Sequence, residues 1–215
     1  MPDLSERLRI GGQGLRLWRA AGVDTRPADD LVRHVVRRSG ADDGSAVTYR
    51  HLVDVPDDLA DLPRVGVQFA VPGRFDSLRW FGRGPHENYP DRRASAAIGL
   101  WDGAPDEPPY LVPQEFGLRC DCRWFEMVDT AAGQRLRIDV LRPATMHVSA
   151  THFSAEDLTV AANDADLVPR KELIVHLDVA HRGLGTASCG PDVRPEYRLR
   201  AGRYEFAYRL SVIDD

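Results

Sequence analysis

The sequence predicts an all-β protein built as a large antiparallel β-sandwich. Three observations carry this expectation. Apolar and polar residues alternate with a period of two in four separate segments, as in strands that turn one face to a core. Clusters of Gly and Pro punctuate the chain between them, at Pro72-Gly73, Gly82 to Pro85, Gly103 to Pro109, Gly190-Pro191 and Ala201-Gly202. No alternation of strand and helix patterns signals a parallel sheet. The length of 215 residues suits one large β domain. It leaves no room for a (β/α)₈ barrel, which takes roughly 250 residues, beside anything else.

In chain order, Ala28 to Gly40 fits two readings. Leu31, Val32, Val35 and Val36 have helical spacing, with Asp29 and Asp30 early, Arg37 and Arg38 late and Gly40 as a C-cap, but the stretch is equally short enough for a strand. Gly40 to Asp61 is rich in Asp and reads as a linker or a shortened hairpin. Residues 1–61 are therefore expected to be a reduced N-terminal part of the sandwich or a linker, and 62–215 its core. The core strands are Val65–Val71, Leu136–Val140, Leu173–Val179 and Tyr204–Val212. Ser154-Ala155-Glu156-Asp157 is a capping box, with Ser154 as N-cap and Asp157 at N3, and starts a short helix.

Composition narrows the function. A formal net charge of −5 argues against nucleic acid or an anionic membrane as the main partner, since both reward excess Lys and Arg. The N-terminus has no apolar targeting segment, and no apolar run approaches the ~18 residues of a membrane helix. Cys120, Cys122 and Cys189 are an odd set, too few for a disulfide framework or a zinc site; Cys120 and Cys122, two apart, share a face if they lie in a strand. The cytoplasm is the simplest compartment. His147, His152, His176 and His181 read as core or surface histidines before metal ligands. Trp18, Trp80, Trp101 and Trp124 read as packing residues before a sugar-stacking platform.

One segment is more specific than the rest: Leu62-Pro63-Arg64-Val65-Gly66, followed by Trp80-Phe81-Gly82-Arg83-Gly84-Pro85-His86-Glu87-Asn88-Tyr89-Pro90-Asp91-Arg92. Its glycines and Pro85 make a rigid loop entry. Glu87, Asp91, Arg92 and Arg93 can form a charge network, either as an acid or base or as a structural, interdomain device. This segment resembles the signature of the C-terminal domain of glycoside hydrolase family two β-galactosidases, the small chain when separately encoded. Pro113-Gln114-Glu115-Phe116-Gly117-Leu118-Arg119 through Arg123-Trp124 resembles that family's next strand. Phe153 to Leu158 resembles its short helix entry, and His181 to Pro191 with Tyr197, Leu199, Gly202 and Tyr204 its last hairpins. The likeness runs from Leu62 to Ile213. Upstream, Leu17-Trp18-Arg19-Ala20 passes directly into Ala21-Gly22-Val23-Asp24, where the family has an intervening loop, and Asn163 stands where it often has His.

The resemblance implies a supersandwich of the galactose-mutarotase type. It implies that the catalytic glutamates lie in a separate barrel domain, so that this chain completes a galactoside pocket on a barrel-bearing large subunit and does not hydrolyse alone. It places Ser188, Cys189 and Gly190, in the loop Gly183 to Pro191, at the sugar, with Cys189 as a pocket wall; from the residues alone Cys189 is a small buried hydrophobe. No local base or cation pattern activates its thiol. The family's whole enzymes use Mg²⁺ and Na⁺, with no cofactor and no metal site identifiable in this chain. Two other readings stay open: a stand-alone carbohydrate-binding module, and a mutarotase-like epimerase, which needs a His and a carboxylate converging on one concave face.

Overall fold

The fold is a two-layered antiparallel sandwich, seen in a computed structural model that describes residues 32–40, 45–59, 61–105, 107–185 and 192–214. Eleven strands occur among these residues: β1 (Arg33–Gly40), β2 (Ala46–Val55), β3 (Arg64–Pro72), β4 (Ser77–Gly84), β5 (Ala97–Gly103), β6 (Arg119–Cys122), β7 (Trp124–Asp129), β8 (Gln134–Arg142), β9 (Met146–Thr151), β10 (Glu172–His181) and β11 (Gly202–Asp214). They form a seven-stranded sheet ordered β1-β2-β11-β8-β7-β4-β5 and a four-stranded sheet ordered β3-β10-β9-β6. No helix is long and apolar enough to cross a membrane among the described residues.

The alternation read from sequence is what packs the layers. Leu173, Val175 and Leu177 of β10 are fully buried and meet Val65 and Val71 of β3 and Met146 and Val148 of β9 in one core. Opposite them stand Leu78 and Trp80 of β4, Phe125 and Met127 of β7, Ile138 of β8 and Phe206 and Tyr208 of β11. Each fully buried large apolar side chain contributes about 2 kcal/mol.

The described part of Ala28 to Gly40 resolves in favour of a strand: β1 pairs antiparallel with β2 from Arg33↔Asp54 to Gly40↔Val47. β1 is an edge strand with seven of its eight residues exposed, so its sequence lacks the two-residue alternation that a buried face imposes. Within Gly40 to Asp61 the described residues form β2, which pairs with β1 on one side and with β11 from Val55↔Gly202 to Ala46↔Ser211 on the other. The described part of residues 1–61 thus shares a sheet with the core. The strand expected from Pro113 begins only at Arg119. Asp121 has a left-handed backbone (φ 57°), and the β6–β9 register shifts across it. The twist separates the two cysteines, a correction to the shared face: Cys122 enters the main core and Cys120 a smaller cluster with Tyr89 and Leu118.

The capping box is formed as read. In α1 (Ala155–Val160) the Asp157 N–H donates to Ser154 Oγ at 3.2 Å and the Ser154 N–H donates to Asp157 Oδ2 at 2.8 Å. Arg170 clamps the same carboxylate. Ser154→Ala should cost about 1 kcal/mol; an unchanged urea midpoint would show that the Arg170 clamp holds the turn unaided.

Candidate functional site

The loop after β10 is tied down at both flanks. Arg182 follows β10 directly, and its side chain is fully buried. Its Nε donates to Asp61 Oδ1 at 2.7 Å and its Nη2 to Asp61 Oδ2 at 3.0 Å, while Nη2 also reaches Asp192 Oδ1 at 2.7 Å. Asp192, on the far flank, is held by Arg198 at 2.8 Å as well. Burial of Arg182 is tolerated because two carboxylates surround one guanidinium. Asp192 is held below the usual carboxylate range by its hydrogen bonds from Arg182 and from the Val193 N–H, against the opposing effect of its burial.

A second tie comes from the loop between β4 and β5. Asp91 accepts from the Leu184 N–H at 3.1 Å and the Gly185 N–H at 2.6 Å. Gly183 lets the carboxylate approach: a Cβ there would lie 2.6 Å from Asp91 Cγ and 2.7 Å from Val193 Cγ2. Gly185 turns the chain with φ +61°, which disfavours any L side chain. Leu184 packs on Tyr89, Leu118 and Cys120.

Beneath this base lies a buried polar cluster. Arg64 of β3 pairs with Glu115 at 2.8 Å and approaches Asp178 of β10 at 3.7 Å, and its Nη2 donates to His181 Nε2 at 3.0 Å. Arg64 can only donate, so His181 carries its proton on Nδ1, which donates to the Arg182 carbonyl at 2.6 Å. One guanidinium serves two carboxylates. Burial pushes Asp178 up to about 7 and raises Glu115. Among the described residues neither Asp178 oxygen nor the Tyr89 hydroxyl has a hydrogen-bond partner. Gly66 makes room for Asp178, since a Cβ there would lie 2.3 Å from Asp178 Oδ1.

A His and a carboxylate do converge here, His181 Nε2 lying 3.8 Å from Glu115 Oε1. Both ring nitrogens of His181 are engaged and the ring is fully buried, so it has neither the free nitrogen nor the substrate access that an epimerase base requires.

A family model described as "Beta galactosidase small chain" matches residues 18–210. This chain belongs to the β-galactosidase small chain family. Curated β-galactosidases align with it: one from Vibrio cholerae is 37% identical over 72% of this chain, one from Arthrobacter sp. 37% identical over 70%, and one from Kluyveromyces lactis 33% identical over 70%. The small-chain sequence spans only 14–15% of the length of these relatives. Among solved structures, a putative aldose 1-epimerase from Escherichia coli aligns over 87% of this chain and 67% of its own, at 13% identity and a TM-score of 0.37.

The small-chain residues expected at the sugar, Ser188, Cys189 and Gly190, lie outside the described residues, as does Trp18. The network expected of Glu87, Asp91, Arg92 and Arg93 divides into three. Glu87 pairs with Arg92 and accepts from the Tyr110 hydroxyl and the Gly117 N–H, both at 2.7 Å. Asp91 holds the loop base, and Arg93 joins Arg83 on Asp121. All three are satisfied within this chain.

Among the described residues, no group of three His, Cys, Asp or Glu side chains is placed to hold a metal ion. His147 and His176 are half-buried in strands, and desolvation lowers the former to about 4 and the latter well below the usual histidine range. Asn163 caps a 3₁₀ turn, Asp164–Asp166, through the Ala165 N–H. Trp80 is core, and Trp101 packs against it. Trp124 is half-buried under Arg137, whose guanidinium sits 4.5 Å from the ring centre.

The Arg182 clamp and the Arg64 cluster escaped sequence reading. Their one local signal is a set of charges, Asp178, His181 and Arg182, at the end of an apolar strand.

Proposed function

We propose that this small chain completes the galactoside pocket of a catalytic barrel carried on another chain, as the small subunit or C-terminal domain of a β-galactosidase, and that it does not hydrolyse galactosides alone. The observation that supports this most directly is the construction of the loop base. Arg182, Asp192 and Asp91 fix both ends of the segment that carries Ser188, Cys189 and Gly190. A rigid platform under a short loop suits a part that must present its tip to another surface. In this reading the tip lines the sugar site, with Cys189 as an apolar wall, and Mg²⁺ and Na⁺ belong to the barrel.

Hydrolysis with retention requires two carboxyl groups about 5–5.5 Å apart that flank the sugar. The carboxylates gathered here, Glu115 and Asp178, share one guanidinium, and Asp178 is fully buried, which leaves it no access to substrate. Cys120 and Cys122 are free buried thiols, which fits the reducing cytoplasm as the compartment.

The test is reconstitution. The chain alone should give no turnover of a chromogenic β-galactoside, and activity should appear when it is mixed with the Arthrobacter sp. β-galactosidase shortened by the segment that this chain matches. Cys189→Ala should then raise KM by at most roughly 30-fold, the equivalent of 1–2 kcal/mol for a small apolar contact, with kcat nearly unchanged. Turnover by the purified chain alone, or complete loss of turnover in a folded and assembled Cys189→Ala complex, would overturn the assignment.

A further inference from the structure

The buried cluster under the loop base holds two carboxyl groups and one cation. Arg64 Nη2 reaches Glu115 at 2.8 Å and His181 at 3.0 Å, while its Nε stops 3.7 Å from Asp178 Oδ2, outside hydrogen-bond range. Asp178 is fully buried, and neither of its oxygens is hydrogen-bonded among the described residues. A carboxyl group so placed keeps its proton, because a charge taken out of water without a hydrogen bond costs far more than the neutral acid. Burial, with a smaller contribution from Glu115, pushes Asp178 up to about 7 against the opposing pull of Arg64.

The neighbours leave Arg64 to answer the loss of that proton. Gly66 on β3 and His147 on β9 stand across the sheet from Asp178. His147 is lowered to about 4, and His176 and His181, on β10 itself, fall well below the usual histidine range, so the three rings are uncharged near neutral pH. Tyr89, from the connection between β4 and β5, is raised well above the ordinary phenol range and keeps its proton. Glu87 of the same connection is already paired with Arg92. The two carboxyl groups also differ in their access to water: the Glu115 side chain is 15% exposed and that of Asp178 1%. Glu115 can turn to solvent when its partner leaves, and Asp178 cannot.

We propose that Arg64 is a proton-controlled latch, which holds Glu115 and His181 while Asp178 is protonated and is drawn onto Asp178 when that proton goes to solvent, releasing Glu115. Both released groups support the loop base. Glu115 lies in the segment between β5 and β6 whose Leu118 packs with Tyr89 and Leu184, and His181 Nδ1 donates to the Arg182 carbonyl. The loop base is therefore firmest below neutral pH and loosens above it. The inference goes beyond the proposed function and stands whether or not a barrel chain docks.

The test is carboxyl ¹³C NMR of the full chain from about pH 5.5 to 8.5, with the two signals assigned through Asp178→Asn and Glu115→Gln. In the parent chain the Asp178 carboxyl should titrate near pH 7, and the Glu115 signal should shift with the same midpoint. In Asp178→Asn the Glu115 signal should show no transition there. The Gly117 N–H, which donates to Glu87 at 2.7 Å within the same segment, gives a second readout. Relative to its intrinsic rate it should exchange about tenfold faster above the midpoint than below it in the parent, and equally on both sides in Asp178→Asn. Asparagine matches aspartate in size; should the variant not fold, coincidence of the Asp178 and Glu115 midpoints in the parent decides alone. A Glu115 signal that stays still while Asp178 titrates, or that moves at the same pH in Asp178→Asn, would overturn the latch. An Asp178 carboxyl that is ionised across the whole range would overturn it as well.

Discussion

Replacing Arg182 by methionine should lower the stability of the chain by about 3–5 kcal/mol, the range for removing one partner of a buried ion pair. Methionine fills most of the volume, so the loss isolates the charge. Without the guanidinium, Asp61 and Asp192 face each other with only the half-exposed Arg198 beside them, Asp61 from a backbone with φ 60° and Asp192 from the far flank of the loop. Urea unfolding measures the effect through the midpoint at constant slope. The same measurement on Asp61→Asn, Asp192→Asn and the pairwise doubles should be strongly non-additive, because all three side chains belong to one network. In the reconstituted complex, Arg182→Met should raise KM more than it lowers kcat, since it acts by letting the loop wander. A loss below about 1 kcal/mol would show that the clamp is dispensable and that Asp91 alone holds the loop base.

The second large effect is on pH dependence. Four histidines, His51, His147, His176 and His181, are held below the ordinary histidine range, each chiefly by burial; His51 and His147 fall to about 4. Groups whose folded pKa is lowered in this way lose stability as pH falls below about 6.5, because the unfolded chain takes up protons that the folded chain refuses. Asp178, raised to about 7, and Glu115, also raised, act in the opposite sense: the stability they contribute is present at low pH and is lost as pH rises through their folded values.

Between about pH 4 and 6.5 the four histidines outweigh the two carboxyl groups, so stability should climb with pH. Above 6.5 the climb should flatten, as the histidines of the unfolded chain lose their protons while Asp178 ionises beside Glu115, and stability should level off above about pH 7.5. Asp178→Asn should steepen the climb. It should be more stable than the parent at pH 8 by about 1–3 kcal/mol, and close to it at pH 5. Thermal unfolding across this range decides the matter. Destabilisation by Asp178→Asn at pH 8 would show that the carboxylate is charged and satisfied by Arg64.

How much was legible depended on whether a signal was local. β10 was readable because Leu173, Val175 and Leu177 alternate with residues of the other face, and the start of α1 because Ser154 and Asp157 cap each other three residues apart. β1 was not, because a strand with seven of its eight residues exposed is under no pressure to alternate, and its valines fall at helical spacing by the same freedom. The shared face of Cys120 and Cys122 assumed regular pleating, and one left-handed residue, Asp121, cancelled it.

The same division holds for the candidate site. The motifs around Trp80 to Arg92 and His181 to Pro191 were sufficient to place the chain in its family, because residue identity at fixed short spacing is a property of sequence. The work each motif residue does was decided by pairing at a distance. Arg182 meets Asp61 across 121 positions, Asp91 meets Gly185 across 94, and Arg64 meets His181 across 117. The period of a strand is written in its own side chains, whereas its neighbours, its register and the burial that shifts its charges arise only when distant segments share a sheet. The sequence by itself therefore determined four core strands, the layered class and the family of this protein; only the tertiary structure decided which charges support the loop.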